Sequence, residues 1–177
     1  MAHRRFCATI PPPMQPVIPK TPADLVHFIQ QEAIAAELVF PLDATPTVPL
    51  AAQAMGCQPD QIIKSVLFLI KGDAPWATAL VIANGVAPID FRKLAVVFGV
   101  GRKRIRLATA DEVLARTGFA AGGVPPFGFD QPLATFIDRG VLAWPEVFGG
   151  GGDDRTLLRI TPDELLRATG GQLIEAR

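Results

Sequence analysis

A lysine stands at the start of a strongly apolar segment that runs from Lys64 to Ile70. Alternation along a β-strand places Lys64 on one face with Val66 and Phe68. If that face lines a pocket, the partly desolvated ammonium can bind an anion or a carbonyl oxygen. A lysine at a strand end whose ammonium reaches the solvent produces the same pattern. Both interpretations stay open from the strand alone.

The second candidate for chemistry is a loop rich in glycine and proline, Gly122-Gly123-Val124-Pro125-Pro126-Phe127-Gly128. Glycine lets the backbone approach a ligand closely, and proline fixes the shape of the loop. N–H groups exposed there can stabilise a developing oxyanion, and one such donor typically contributes about 3–4 kcal/mol. A stiff connection between a helix and a strand can have the same composition. A purely structural role of the loop therefore stays open as an alternative to oxyanion binding.

A carboxylate, Asp138, follows the apolar segment 133–137 and is expected at the end of a strand. Functional side chains often collect at such ends, although an aspartate that forms a turn fits the position equally well. Two glycine-rich segments, 99–101 and 149–152, lack the spacing of a dinucleotide or phosphate loop. The two histidines, His3 and His27, do not combine with a serine or cysteine into a nucleophilic site, and no metal-ligand spacing is present.

Six basic residues occur between positions 92 and 106 without an acidic residue among them. They are Arg92, Lys93, Arg102, Lys103, Arg104 and Arg106. Such a patch on a neutral protein suits a polyanion that is contacted at one edge. A solvated face of a helix and a turn is the alternative interpretation, and the sequence does not decide between them.

The composition is that of a globular protein with one domain. The chain has 177 residues, of which 49% are hydrophobic and 19% charged, and about 100–200 residues commonly form one domain. The net charge of zero excludes a uniformly basic nucleic-acid-binding protein. With two cysteines and no long apolar segment, we expect a cytoplasmic protein without a disulfide framework, a signal peptide or a membrane span.

The elements that must position these residues follow from periodicity and from helix caps. Residues 1–20 are rich in proline and predict a flexible tail, and residues 21–177 predict a single domain. Helices are predicted from Thr21 onward and over 49–55, 90–98, 109–117 and 161–169, and strands over 38–40, 64–70, 76–83, 104–107, 133–137, 157–160 and 172–174. Hairpins mixed with short helices favour an α+β fold.

Three segments, in this order, resemble the YbaK family of aminoacyl-tRNA deacylases. They are Ile62-Ile63-Lys64-Ser65-Val66-Leu67-Phe68, the loop Gly122–Gly128 and Ile137-Asp138. The family includes the editing insertion of bacterial prolyl-tRNA synthetase and free-standing relatives of that insertion. The resemblance covers residues 21–177, and the lysine strand combined with the later G-x-x-x-P loop carries it.

The resemblance implies an α+β fold with a mixed, partly barrel-like β-sheet, flanking helices and a cleft. It implies hydrolysis of the ester between an amino acid and the terminal adenosine of tRNA, without a metal or an organic cofactor. Lys64 would bind the tRNA backbone or the substrate carbonyl, Gly122 and Gly123 would belong to the catalytic loop, and a ribose hydroxyl of the substrate would assist. The substrate-binding residues would be Val124, Pro125, Pro126, Phe127, Gly128, Asp138 and Thr156.

The sequence departs from two branches of the family. The prolyl-tRNA synthetase insertion and the alanyl-specific relatives use a histidine late in the domain, whereas this chain has none after His27. The cysteinyl-specific branch usually has a serine where Pro125 stands. Neither alanyl nor cysteinyl specificity is therefore expected.

The expected function is a free-standing hydrolase that removes a small amino acid from mischarged tRNA. Its partners would be the aminoacylated acceptor end of tRNA and, further, an aminoacyl-tRNA synthetase or an elongation factor. The first alternative is a non-catalytic module that binds tRNA or a synthetase. The second alternative is a hydrolase of free aminoacyl or thioester metabolites. The activity of such an enzyme would depend neither on the tRNA body nor strongly on salt, which separates it from the expected function.

Overall fold

The computed structural model describes residues 18–42, 45, 47–72, 75, 77–85 and 87–177, and these residues form an α+β fold. The helices are α1 Pro22–Gln31, α2 Val48–Met55, α3 Phe91–Phe98, α4 Ala110–Thr117 and α5 Pro162–Thr169. The strands are β1 Ala36–Val39, β2 Ile63–Ile70, β3 Thr78–Asn84, β4 Ile105–Leu107, β5 Ala134–Asp138, β6 Val147–Gly150, β7 Leu157–Ile160 and β8 Gln172–Ile174. The predicted fold class is confirmed.

Local capping explains where the helices begin and end. In α4, the Thr109 hydroxyl accepts a hydrogen bond from the Glu112 N–H at 3.3 Å, and the Glu112 carboxylate accepts one from the Thr109 N–H at 2.9 Å. This reciprocal pair is the predicted capping box. The second predicted box, at Thr161, is only half formed. The Glu164 carboxylate there accepts from the Ala35 N–H at 2.6 Å and so ties α5 to the segment before β1.

A five-stranded mixed sheet, in the order β4-β2-β3-β5-β8, forms the centre of the fold. The hairpin β2-β3 and the edge pair β2-β4 are antiparallel, whereas β3-β5 and β5-β8 are parallel. Lys64 lies opposite Ala83 in this register, near the start of β2. The sheet therefore presents the amino-terminal end of β2 and the carboxyl-terminal end of β3 at one edge.

A three-stranded antiparallel sheet, in the order β1-β7-β6, lies beside the first sheet. One bridge between Ile62 and Phe148 connects the two sheets, which gives the partly barrel-like arrangement. The sequence analysis assigned no strand to β6, because glycine is depleted in strands and this one ends in Gly149 and Gly150. The hydrogen bonds that β6 forms with β7 stabilise the extended conformation despite this low strand propensity.

Two hydrophobic cores cover the two faces of the five-stranded sheet. One face packs against α1, α5 and the three-stranded sheet through residues such as Leu25, Leu158 and Leu165. The other face packs against α3 through Leu94 and Phe98. Because successive side chains of β2 point to opposite faces of the sheet, its residues contribute to both cores, which explains why positions 66–70 are all apolar.

The predicted tail falls largely outside the described residues, which begin at Ile18. Its last residue, Lys20, belongs to the folded part. The Lys20 N–H donates to the Gly118 carbonyl at 2.7 Å, and its ammonium lies 2.6 Å from the Asp130 carboxylate. None of the helices in the described ranges is long and apolar enough to span a bilayer.

Candidate functional site

A cleft of about 180 Å³ opens where the start of β2 meets β6 and the glycine–proline loop. Lys64 and Ser65 contribute one wall, and Gly122 and Val124 contribute a second wall. The third wall comes from β6 and the residues that follow it. Segments that are far apart in the sequence therefore meet at this cleft, and four predicted site residues line it, namely Lys64, Gly122, Val124 and Thr156.

The Lys64 side chain is half-buried at the edge of the cleft. Its ammonium donates a hydrogen bond to the Ala87 carbonyl at 2.9 Å and has no carboxylate partner among the described residues. Burial lowers the pKa of Lys64 below its usual value, and the positive charge of Arg177 lowers this pKa further. An ammonium without an anionic partner is available to an incoming phosphate or carbonyl oxygen.

The backbone of the loop 122–128 turns sharply at its first residue. Gly122 has a φ of +103°, which L-amino acids with side chains rarely adopt. The N–H groups of Gly122 and Val124 face no hydrogen-bond acceptor within the described part of the chain. Two main-chain donors at the wall of a cleft are the type of group that stabilises an oxyanion.

The glycine run 149–152 holds this loop in place. The Gly152 N–H donates to the Gly123 carbonyl at 2.9 Å. A Cβ atom on Gly150 would lie 2.5 Å from the Val124 carbonyl oxygen, and one on Gly123 would lie 2.5 Å from the Asp153 carbonyl oxygen. The glycines therefore allow two backbone segments to pack directly against each other, a role that the sequence analysis did not assign to them.

Two residues that the sequence analysis left without a role also line the cleft. Asp153 brings a carboxylate, and its Oδ1 accepts from the Arg155 N–H at 2.9 Å. The Ser65 hydroxyl is buried without a hydrogen-bond partner in the described structure. Neither position has a sequence signal of its own, because Asp153 follows a glycine run and Ser65 lies within an apolar strand.

The remaining predicted site residues lie elsewhere. Asp138 is buried, and its carboxylate accepts from the N–H groups of Gly140 at 2.9 Å and Ala176 at 2.7 Å. The later residues of the loop, Pro125 to Gly128, are buried, and Phe127 packs against Phe28 of α1. These positions do not line the cleft, and the substrate contact predicted for them stays a prediction.

The described residues contain no cluster of three or more histidine, cysteine, aspartate or glutamate side chains that could hold a metal ion. The groups that the cleft offers are one ammonium, one carboxylate, hydroxyls and main-chain N–H donors. Such a set can bind and polarise an ester that lies beside a phosphate.

Comparison with known proteins identifies the class to which this site belongs. Residues 43–168 match the family model described as an aminoacyl-tRNA editing domain. The match spans most of the chain, and the protein belongs to this family.

Individual relatives agree with that assignment. The chain is 33% identical over 122 residues to YwhH of Bacillus subtilis, an uncharacterized protein, and the match covers 69% of this chain and 74% of YwhH. It is 22% identical over 124 residues to the "Putative Cys-tRNA(Pro)/Cys-tRNA(Cys) deacylase EbsC" of Enterococcus faecalis, covering 70% and 73% of the two chains. A solved structure described as "a putative trans-editing enzyme for prolyl tRNA synthetase" superimposes with a TM-score of 0.80 at 32% identity, covering 93% of this chain and 99% of that one.

Proposed function

We propose that the protein is a free-standing aminoacyl-tRNA deacylase that hydrolyses the ester of tRNA mischarged with a small amino acid. The observation that carries the proposal is that Lys64, Gly122 and Val124 line one cleft, while the N–H groups of Gly122 and Val124 have no acceptor among the described residues. Support also comes from a relative described as a trans-editing enzyme, because this chain covers nearly all of it.

The proposed reaction adds water to the ester carbonyl carbon, and the C–O bond to the ribose then breaks. The carbonyl oxygen becomes an oxyanion, to which the N–H groups of Gly122 and Val124 would donate hydrogen bonds in this scheme. Each such donor typically contributes about 3–4 kcal/mol in the transition state. The neighbouring ribose hydroxyl takes up the proton of the attacking water and passes it to the leaving oxygen, so the products are the free amino acid and the 3′ end of tRNA.

Lys64 orients the substrate in this scheme. Its ammonium exchanges the Ala87 carbonyl for a phosphate or carbonyl oxygen of the aminoacylated adenosine. Because burial and Arg177 lower its pKa, the charged form of Lys64 is lost at a lower pH than for an exposed lysine. Binding of the anionic substrate is therefore expected to weaken as the pH rises through that value.

The size of the cleft supports a small aminoacyl group. Its volume of about 180 Å³ is below the roughly 300–1,000 Å³ of sites that enclose drug-sized ligands. It therefore suits an aminoacyl group and part of a ribose, with the adenine outside. A synthetase separates amino acids that differ by one methylene by only about 1–3 kcal/mol, so a second pocket of different shape is needed to remove errors.

The test is a deacylation screen with purified protein and tRNAs mischarged with several amino acids. We expect turnover on one or more small amino acids and a loss of about a hundredfold or more in kcat/KM for Lys64→Ala, since substrate orientation has effects of that size. Lys64→Arg keeps the charge and is expected to retain part of the activity.

Lys71→Ala is the matched control, because Lys71 is exposed just beyond the other end of β2. It should leave kcat/KM unchanged. No turnover across the panel would contradict the proposal, and tRNA binding without turnover would favour the non-catalytic module. Equal loss in both lysine variants would show that Lys64 has no special role.

A further inference from the structure

Four basic side chains on the α3 side of the molecule form no ion pair with another described residue. We call Arg92, Arg102, Lys103 and Arg104 the basic strip. The six-residue cluster seen in the sequence loses two members in the structure. Arg106 forms two hydrogen bonds of 2.7 Å with the Glu112 carboxylate, and the Lys93 ammonium donates to the Arg177 carbonyl. The four that remain are exposed and have no carboxylate partner within the described ranges.

The fold holds the basic strip in a fixed position. The Arg102 guanidinium lies 5.0 Å from the ring centroid of Phe91, the first residue of α3. Phe91 in turn packs edge-on against Phe68 of β2 at 5.4 Å. The Arg104 carbonyl accepts a hydrogen bond from the Lys71 N–H at 2.9 Å, just beyond the end of β2. The strip is therefore attached to β2 at two points.

Strand geometry gives the distance between the basic strip and the cleft. Lys64 stands near the start of β2, and Lys71 follows its end. Seven residues at about 3.3 Å each separate them by about 23 Å. The two sites are also connected along one face, because the Lys64 ammonium bonds to Ala87, which shortly precedes α3.

We propose that the basic strip binds the phosphate backbone of the tRNA acceptor end whose aminoacyl ester occupies the cleft. This inference rests on the proposed function. An ester at Lys64 is attached to a polyanionic chain that must leave the cleft, and about 23 Å spans several nucleotides. Arginine binds phosphate in a bidentate manner, and three of the four side chains are arginine. On a protein with zero net charge, a basic strip about 23 Å from Lys64, without a carboxylate partner in the described ranges, provides local attraction for that chain.

The test measures binding of deacylated tRNA, which does not depend on catalysis. The triple variant Arg102→Gln, Lys103→Gln, Arg104→Gln is compared with the wild type by fluorescence anisotropy between about 50 and 200 mM salt. We expect the Kd to rise about tenfold or more at the lower salt concentration, and the slope of log Kd against log salt to fall by about 2. An acceptor-stem minihelix should bind as tightly as the whole tRNA.

A charge-matched control variant carries Arg116→Gln, Arg159→Gln and Arg167→Gln. These residues belong to α4, β7 and α5, which pack against the opposite face of the five-stranded sheet. The control should bind tRNA like the wild type. An unchanged Kd in the strip variant, an equal loss in the control, or equal competition by a DNA duplex of the same length would overturn the inference.

Hydrolysis of an aminoacylated adenosine separates this inference from the proposed function. The nucleoside carries no phosphate for the basic strip to bind, so the strip variant should cleave it with unchanged kcat/KM. If the wild type cleaves this substrate but the strip variant keeps its affinity for tRNA, the inference about the basic strip is wrong and the proposed deacylase function is supported. If the wild type cleaves neither this substrate nor mischarged tRNA but the strip variant loses tRNA binding, the proposed deacylase function is wrong and the inference about the basic strip is supported.

Discussion

Asp153 places a carboxylate in the same cleft as the Lys64 ammonium. An aminoacyl ester carries an α-ammonium group, which needs an anionic partner when it leaves water. We predict that Asp153→Asn lowers kcat/KM for the aminoacyl substrate by about tenfold to a hundredfold, since a hydrogen bond to a charged group contributes about 1.5–3 kcal/mol. The asparagine oxygen can still accept from the Arg155 N–H, so the local turn is kept.

Kinetics on two substrates would check the role of Asp153. N-acetylation removes the positive charge of the α-amino group, so Asp153→Asn should cleave the N-acetylated aminoacyl-tRNA as well as the wild type does. An equal loss on both substrates would indicate that the substitution disturbs the cleft and does not remove a charge contact.

Asp138 has hydrogen-bond partners within the fold that its residue type alone does not indicate. It stands at a strand end, as the sequence predicts, yet its carboxylate is taken up by the Gly140 and Ala176 N–H groups and by the Arg177 guanidinium at 3.3 Å. We predict that Asp138→Asn lowers the free energy of unfolding by about 1–3 kcal/mol, because one buried N–H then faces an amide NH₂ group. Urea denaturation measures this loss, and KM should not change. A raised KM at unchanged stability would instead support the substrate contact.

At the scale of elements, the sequence predicted what depends on local interactions. The N-cap at Thr109 and the apolar run of β2 each contain their own signal, so α4 and β2 were predicted correctly. Strand β6 was missed because its glycines are selected by a long-range contact with the loop 122–128, which no local pattern records. Glu164 was assigned to a capping box for the same reason, since its actual partner, the Ala35 N–H, is distant in the sequence.

The contact between β6 and the loop leads to a prediction about Gly150. A Cβ there would lie 2.5 Å from the Val124 carbonyl oxygen and 2.7 Å from that of Gly123. We predict that Gly150→Ala displaces the loop and lowers kcat by about a hundredfold, the effect that a shift of about 1 Å in a catalytic group can have. Gly101→Ala is the control, because its Cβ meets no atom within 4 Å and its φ is −67°. Deacylation kinetics would measure this effect, with circular dichroism to check that each variant is folded. Full activity of Gly150→Ala would show that the contact between β6 and the loop is not needed for catalysis.

At the scale of the whole molecule, the cleft exists only because folding brings β2, the loop and β6 together. The sequence identified Lys64 and Gly122 as separate candidates, but it held no information on their distance or on the presence of Asp153 in the same cleft. The family resemblance supplied the expectation that they are neighbours. The pairing of two sheets through Ile62 and Phe148 is the physical reason that they are.

Two ion pairs, one between β4 and α4 and one within α5, predict how the fold behaves in acid. The Arg106 guanidinium lowers the pKa of Glu112 to about 2, and Arg167 does the same for Glu164, which also binds the Ala35 N–H. Because both pKa values lie below the ordinary value of 4.5, these carboxylates stabilise the fold above that pH and lose their contribution as the pH falls toward about 2.

The double variant Arg106→Gln, Arg167→Gln should raise both glutamate pKa values toward 4.5. Its Tm, measured by calorimetry, should therefore fall less steeply than that of the wild type between these two pH values. The arginine of each pair is exposed, so added salt should reduce the difference. Arg102→Gln with Arg116→Gln removes two unpaired charges and should keep the pH dependence of the wild type. If the double variant at Arg106 and Arg167 also shows the pH dependence of the wild type, the ion pairs do not determine stability in acid. The hydrogen bonds from backbone N–H groups to the two glutamates would then be what lowers their pKa values.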